Sequence, residues 1–210
     1  MNSNTLIKSI KIFFFLLICV SFLSLNGNTY GQSSMIYIII ARFQHATEIC
    51  QFLTILLFFS SYLKKKYITA KKFYKFFLPI FFAVNFGISF TYWTNYIFLY
   101  FILKRYKLWY NDVFHVFTDI IKHICPFLLT LIDFSKTGKV KSNIISFISI
   151  FCFGNIYFFW LIISNKITNF LPYYLPFVSF KTFLFLNFCS FFTCVFLYIC
   201  NKKKLNKNFH

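Results

Sequence analysis

Acidic side chains are almost absent from this sequence. Its 210 residues contain 22 lysines and arginines but four acids, which are Glu48, Asp112, Asp119 and Asp133. Charged residues of both signs make up 12% of the chain, whereas 59% is apolar and 36 residues are phenylalanine. A water-soluble domain of this size cannot bury so much aromatic surface. The composition therefore argues against a soluble protein and indicates a membrane protein.

Motifs of several enzyme classes are missing as well. The sequence has no GxSxG nucleophile elbow, no HExxH zinc motif and no glycine-rich phosphate loop. Its seven cysteines form no CxxC pair, and most lie in apolar runs, where they behave as small hydrophobic residues. We therefore expect no disulfide framework, no metal and no cofactor. Basic residues occur in short clusters between apolar runs, which argues against a nucleic-acid-binding face.

Long apolar runs are what the sequence has in abundance. Six can be marked, at about 12–25, 35–63, 76–103, 113–134, 143–163 and 177–200. Most exceed the ~20 residues that a helix needs to cross a bilayer, and in lipid only helices satisfy the backbone of such runs. The predicted fold class is all-α: one integral membrane domain over residues 1–210, with about six transmembrane helices. The short first run also resembles a secretory signal peptide, although we favour a retained signal-anchor.

The distribution of basic residues predicts how these helices are oriented. Fifteen basic residues fall on one side of the alternating segments: Lys8, Lys11, Lys64, Lys65, Lys66, Lys71, Lys72, Lys75, Lys136, Lys139, Lys141, Lys202, Lys203, Lys204 and Lys207. Five fall on the other side: Lys104, Arg105, Lys107, Lys166 and Lys181. Because loops rich in lysine and arginine stay in the cytoplasm, we expect both termini to be cytoplasmic.

Ionisable residues concentrate in the fourth segment. His115, Asp119 and His123 are four residues apart and form one polar stripe on a helix, with Asp112 and Lys122 close to the same face. An ionised group at the bilayer centre costs at least about 2.5 kcal/mol, so we expect the stripe to face the bundle interior. A position of Asp112 and His115 in the headgroup region is the alternative.

The second segment contributes another polar cluster, whose members are Arg42, Gln44, His45, Thr47, Glu48 and Gln51. Several residues of this cluster can be explained by a structural role as well as by a functional one. Arg42 can form an ion pair with Glu48, and Thr47 can be a packing hydroxyl bonded to its own helix. A threonine hydroxyl beside a histidine base can also attack an ester.

Short motifs along most of the chain resemble the androgen-induced gene 1 family of multi-pass eukaryotic membrane proteins. They are "TYG" at 29–31, "RFQHAT" followed by "FLTILLFF", "KHICPFLLTLIDF", and "FLPYYLPF" after an aromatic helix. The resemblance implies hydrolysis of fatty acid esters of hydroxy fatty acids by a threonine and a histidine. By position, these residues are Thr47 and His123. His115 is the alternative base, and Thr54 is the alternative nucleophile.

The expected function is intramembrane hydrolysis of lipid esters, in the endoplasmic reticulum, on substrates that enter from the bilayer. Asp119 is expected to orient His123, Lys122 to bind a substrate carboxylate or reach the headgroups, and Glu48 to support the site. The main alternative is a non-catalytic channel or transporter whose polar stripe lines a solute path. A structural membrane protein without activity is the third possibility.

Overall fold

The computed structural model describes residues 3–23, 39–40, 43–97, 113–137, 143–169 and 179–206, and this part of the chain contains six long helices and no strand. The helices are α1 (Ser3–Leu23), α2 (Ala46–Leu63), α3 (Ile68–Ile97), α4 (Val113–Lys136), α5 (Asn143–Thr168) and α6 (Phe180–Asn206). The predicted all-α class is therefore confirmed.

Five of these helices are long and apolar enough to cross a membrane. The candidate spans are Thr5–Leu23, Ala46–Leu63, Ile68–Thr94, Ile144–Thr168 and Phe180–Lys202. Helix α4, which carries Asp119, Lys122 and Asp133, is not among the five. Many large apolar side chains lie on the outside of the bundle, which is the arrangement that a lipid environment favours. The architecture is that of a polytopic membrane protein.

Several helix bounds differ from the apolar runs; α1, for example, begins at Ser3 and not near residue 12. The second run was expected over 35–63, but α2 begins at Ala46, after a turn at residues 43–45. The third was expected from 76, but α3 already begins at Ile68, because the lysine-rich residues before the apolar run are good helix formers. Helix α3 therefore extends about 12 Å beyond the predicted apolar run.

Helix α3 is the centre of the bundle, and α2, α4, α5 and α6 all pack against it. In its candidate span 61% of the residues are buried, against 11% in α1 and 22% in both α5 and α6. Phenylalanines fill much of the space around it. The rings of Phe82 and Phe134 stack with their centroids 4.2 Å apart, and those of Phe86 and Phe196 with theirs 3.5 Å apart.

Two glycines allow α6 to approach its neighbours closely. A Cβ atom added to Gly87 of α3 would lie 2.5 Å from the Thr193 hydroxyl oxygen. A Cβ atom added to Gly154 of α5 would lie 2.6 Å from the Ser190 hydroxyl oxygen. Small residues at helix crossings are how membrane helices gain van der Waals contact without a hydrophobic driving force.

Helix α1 is a packed member of the bundle and contacts α2 and α4. Its Ile18 is fully buried, and the Ser21 hydroxyl accepts a hydrogen bond of 2.8 Å from the Gln51 amide of α2. Near the other end of α1, Lys11 forms an ion pair of 2.5 Å with Asp133. The Asp133 carboxylate also forms a hydrogen bond with Tyr74 of α3. The start of α3 and the end of α4 therefore lie at the same end of the bundle.

Candidate functional site

The polar face of α4 is turned into the bundle. Thr130 and Asp133 are buried, and so is His123, whereas Phe117 and Leu131 on other faces of the helix are exposed. Apolar residues that face lipid and polar residues that face neighbouring helices are the arrangement expected in a membrane. The expectation that the stripe faces inward thus agrees with the structure for the side chains from Phe117 onward.

An ion pair connects α4 to α2 at the level of the predicted site. The Lys122 ammonium donates to a Glu48 carboxylate oxygen at 2.7 Å, and both side chains are largely buried. Lys122 therefore pairs within the bundle and does not extend to the headgroups. A buried ion pair costs desolvation energy on both partners, so it needs good geometry to persist.

The two residues beside this ion pair are the predicted nucleophile and base. Thr47 immediately precedes Glu48, and His123 immediately follows Lys122. Thr47 is 7% exposed and His123 is 9% exposed. The ion pair thus places Thr47 and His123 at one level of the bundle on adjacent helices. Among the described residues, however, no hydrogen bond joins the Thr47 hydroxyl to the imidazole.

The His123 imidazole is held between α3 and its own helix. Its ring stacks on Tyr92 of α3, with 3.6 Å between the ring centroids and 10° between the planes. Its Nε2 atom lies 3.7 Å from an Asp119 carboxylate oxygen. The other oxygen of Asp119 accepts a hydrogen bond of 2.5 Å from the Tyr92 hydroxyl. Ser89 of α3 donates a hydrogen bond to the main-chain carbonyl of His123. Two contacts therefore position the ring, and a third holds the backbone of His123.

The remaining imidazole nitrogen has a different environment. The Nδ1 atom of His123 is buried and has no hydrogen-bond partner in the described part of the chain. Buried polar atoms are almost always satisfied, so an exception calls for an explanation by a water, a ligand or a catalytic role. A neutral imidazole with one nitrogen facing a carboxylate and the other free is arranged to accept a proton at the free nitrogen.

The alternative nucleophile Thr54 lies in a separate group of contacts. Its hydroxyl accepts a hydrogen bond of 3.0 Å from the amide of Asn85, which also donates to the carbonyl of Pro126 at 3.3 Å. The Thr130 hydroxyl donates to the same carbonyl at 2.8 Å. These contacts connect α2, α3 and α4 around the Pro126 carbonyl, which is a structural purpose. Thr54 is therefore better explained as a packing residue than as a nucleophile.

The other predicted residues are only partly described. His115 lies in the first turn of α4, but its side chain is outside the described residues, as are Arg42 and Asp112. The predicted pairing of Arg42 with Glu48 therefore stays a prediction. His45 caps α2 and lies within electrostatic range of Glu48 and Lys122, which adds a second imidazole to the neighbourhood.

Two residues of the site were missed in the sequence. Ser89 and Tyr92 of α3 contact His123 and Asp119, and neither is ionisable at neutral pH. The signal was present, because Asn85, Ser89 and Tyr92 are spaced by four and three residues and lie on one face of a helix. A polar stripe on α3, the central helix, predicts the surface against which the polar stripe of α4 packs.

Near the site, an apolar groove of about 220 Å³ opens between α2 and α5. It is lined by Phe43, Ile49, Phe153, Ile156, Tyr157 and Trp160. Within the described residues, no three histidine, cysteine, aspartate or glutamate side chains are close enough together to hold a metal ion.

Comparison of the chain with protein-family models, with characterised proteins and with solved structures found no match. The resemblance to the androgen-induced gene 1 family thus stays a prediction from short motifs.

Proposed function

We propose that this protein hydrolyses lipid esters within the membrane, with Thr47 as the nucleophile and His123 as its general base. The observation that carries the proposal is the environment of His123. Its Nε2 atom faces Asp119 and its Nδ1 atom is buried without a hydrogen-bond partner. This is the arrangement that a general base needs, because the carboxylate stabilises the imidazolium that forms when Nδ1 takes a proton.

The Glu48–Lys122 ion pair supports the choice of Thr47. It connects the helices that carry the two reacting groups at the positions next to them. A base and a nucleophile in a substrate-free enzyme often lie beyond hydrogen-bond distance and approach only when substrate binds. The absence of a direct bond between Thr47 and His123 is therefore compatible with the proposal.

The reaction takes two steps. His123 Nδ1 removes the proton of the Thr47 hydroxyl as the threonine oxygen attacks the ester carbonyl, and the imidazolium then protonates the departing alcohol. This leaves an acyl ester on Thr47. In the second step His123 removes a proton from water, which attacks the acyl ester. The imidazolium then returns that proton to the departing threonine oxygen, so the products are a carboxylic acid and the free enzyme. Asp119, positioned by the Tyr92 hydroxyl, stabilises the imidazolium in both steps.

The groove between α2 and α5 is apolar, as the acyl chain of such a substrate requires. Thr47 does not line it, because Ile49 of the groove wall is two residues away and residues at that spacing do not share a helix face. A lipid that diffuses in the bilayer can enter it from the side. The proposed substrates are therefore lipid esters, with fatty acid esters of hydroxy fatty acids as the class implied by the family resemblance.

The proposed location is the endoplasmic reticulum membrane, with both termini in the cytoplasm. The packing supports the charge asymmetry, because Lys11, Lys64 and Lys136 lie at the same end of the bundle. Protease protection of terminal tags in sealed microsomes tests the orientation. A C-terminal tag that is protected from protease contradicts it.

The test of the hydrolase is covalent labelling combined with turnover. A fluorophosphonate probe should label the purified protein, and Thr47→Ala should abolish labelling. His123→Ala should slow it by about 10²–10⁴-fold, the usual contribution of a general base. Turnover of a fatty acid ester of a hydroxy fatty acid should fall equally in Thr47→Ala, His123→Ala and the double mutant, because the two residues act as one unit.

Thr54→Ala and His115→Ala are the matched controls, and both should keep their activity. Activity that survives Thr47→Ala but is lost in Thr54→Ala contradicts the assignment of the nucleophile. Activity that is restored by zinc after chelation contradicts the threonine mechanism altogether.

A second candidate function is solute conduction along α4. It is favoured by the inward polar residues that continue from Asp119 through Thr130 to Asp133, about 21 Å along the helix axis. Solute flux into liposomes that contain the purified protein, measured beside ester turnover, separates the two functions.

A further inference from the structure

A second charged region lies at the opposite end of the bundle from His123, in the connection between α2 and α3. Residues 64–75, which we call the lysine hairpin, contain six lysines: Lys64, Lys65, Lys66, Lys71, Lys72 and Lys75. They contain no acid, and the sequence has none between Glu48 and Asp112. The hydrolytic site uses none of these lysines.

The lysine hairpin is compact. Main-chain hydrogen bonds of 2.9 Å run from the Lys66 and Tyr67 amides to the Leu63 carbonyl, and the Lys71 amide bonds to the Tyr67 carbonyl at 3.1 Å. The turn that joins the two helices is only four residues long, from Lys64 to Tyr67. The lysines are therefore confined to a small region at the start of α3.

The lysines of the hairpin fall into two groups. Lys64 is half-buried, and its ammonium lies 3.7 Å from the centre of the Tyr74 ring. The other five are exposed. Lys71, Lys72 and Lys75 lie on one side of α3, because Lys75 is four residues after Lys71 and three residues after Lys72. They form an exposed row of positive charge.

No acid of the described residues neutralises this row. Asp133, which lies at this end of the bundle, is buried and forms its ion pair with Lys11. Within the described part of the chain, none of the five exposed lysines forms an ion pair. Unneutralised like charges repel one another, so an anion that binds among them is favoured.

The position of the hairpin indicates which anion it meets. The turn from Lys64 to Tyr67 joins the candidate membrane spans Ala46–Leu63 and Ile68–Thr94, so it lies where the chain leaves and re-enters the membrane. Tyr62 and Tyr67 flank the turn and are 55% and 48% exposed. Exposed tyrosines are typical of the membrane–water interface, where their rings lie at headgroup level. The lysines therefore lie at the height of lipid phosphates.

We propose that the lysine hairpin binds the headgroups of anionic phospholipids in the adjacent leaflet. The five exposed ammonium groups supply the charge, and the interfacial tyrosines hold the hairpin at headgroup depth. Near an anionic membrane surface each lysine strengthens binding by about fivefold. The proposal is independent of the hydrolytic site, because it requires neither Thr47 nor His123.

The test uses the full-length protein in a neutral detergent. A short-chain fluorescent phosphatidylserine is titrated into the protein and followed by anisotropy, with the matched phosphatidylcholine as the neutral probe. Phosphatidylserine should bind at least tenfold more tightly. Lys71→Gln/Lys72→Gln should weaken its binding by about 25-fold, which is fivefold for each lysine. Circular dichroism checks that the helices are retained.

Lys166→Gln/Lys181→Gln is the matched control, since it removes two exposed lysines outside the hairpin. Its affinity for phosphatidylserine should equal that of the wild type. The proposal is overturned if the hairpin variant binds like the wild type, or if the control variant loses as much affinity. It is also overturned if inorganic phosphate at equal concentration displaces the lipid, because the ligand is then a free anion.

Discussion

Helix α4 forms two largely buried ion pairs, one near its middle and one near its C-terminal end, and the two differ in their surroundings. The pair of Lys122 with Glu48 connects α4 to α2 and lies next to His123 and Thr47. The pair of Asp133 with Lys11 connects α4 to α1, at the end of the bundle that carries the lysine hairpin. The same interaction thus connects α4 to two different helices, and under the proposed function only the Lys122–Glu48 pair lies beside the reacting groups.

The acids at the two ends of α4 illustrate this difference. Asp119 receives a hydrogen bond from Tyr92 and faces an imidazole that has a free nitrogen. Asp133 has Lys11 and Tyr74 as partners and Lys64 within electrostatic range, so positive charge around it is plentiful. Loss of Lys11 should therefore be tolerated at Asp133, which keeps other partners.

The largest effect on stability is expected for Lys122→Met. It removes the Lys122 ammonium from the buried Glu48 carboxylate, and breaking a buried ion pair costs about 3–5 kcal/mol. Glu48→Gln/Lys122→Met should recover most of that loss, because removal of both charges also removes the desolvation cost. Urea or SDS unfolding of the purified protein in mixed micelles measures both variants. A single variant that unfolds like the wild type contradicts the ion pair.

A smaller loss is expected for Lys11→Met. The Asp133 carboxylate keeps its hydrogen bond to Tyr74 and the attraction of Lys64. The cost should therefore be about that of one hydrogen bond to a charged group, about 1.5–3 kcal/mol. The same unfolding measurement compares it directly with Lys122→Met, and Lys8→Met, an exposed neighbour on α1, is the control. If Lys11→Met costs more than Lys122→Met, the ranking of the two ion pairs is wrong.

The sequence predicted which face of α4 turns inward, but it did not predict which residues of other helices its charged side chains contact. The inward stripe of α4 was predicted from the spacing of His115, Asp119 and His123, since each ionised group must avoid lipid. The partner of Glu48 does not follow from spacing. The structure pairs Glu48 with Lys122, a contact that depends on how α2 and α4 pack, and the predicted pairing with Arg42 lies outside the described residues.

The start of α2 shows that the sequence pattern is limited in the same way when it is used to predict the fold. Hydropathy extends the second apolar run to residue 35, but α2 begins at Ala46. The carbonyls of Phe43 and Gln44 in the preceding turn accept hydrogen bonds from Trp160 and Tyr157 of α5, at 2.7 and 2.6 Å. Contacts with a distant helix thus satisfy this part of the backbone. A local hydropathy pattern identifies the apolar runs. It cannot reveal contacts between residues that are far apart in the sequence.

A change in activity rather than in stability is expected for Tyr92→Phe. The variant keeps the ring that stacks on His123 and loses the hydroxyl that donates to Asp119. Loss of one hydrogen bond costs about 1 kcal/mol, which corresponds to roughly a fivefold loss of ester turnover if Asp119 orients the base. Tyr157→Phe, which removes a hydroxyl that bonds to the Gln44 carbonyl, is the control and should keep its turnover. Equal turnover in wild type and Tyr92→Phe contradicts the orienting role of Asp119.

The smallest effect on stability is expected for a change at Lys64, and its size should depend on pH. Burial lowers the pKa of the Lys64 ammonium below its ordinary value of 10.5, although Asp133 opposes this shift. The protonated form is thus disfavoured in the folded protein. Between the lowered pKa and 10.5 the unfolded chain binds more protons, so the free energy of unfolding rises with pH in that window. Below the lowered pKa the full cost of burying the charged ammonium persists, and above pH 10.5 this cost is gone.

Lys64→Met removes this penalty. The variant should therefore be more stable than the wild type at neutral pH, and the difference should shrink as the pH rises towards 10.5. Thermal unfolding in detergent, followed by circular dichroism at several pH values, measures the difference. Lys65→Met removes an exposed lysine from the same turn and corrects for the loss of one charge from the lysine hairpin. A Lys64→Met variant that is less stable than Lys65→Met at neutral pH shows that attraction to Asp133 and to the Tyr74 ring outweighs burial. In that case Lys64 stabilises this end of the bundle, and the Lys11–Asp133 pair is one part of a larger charged cluster.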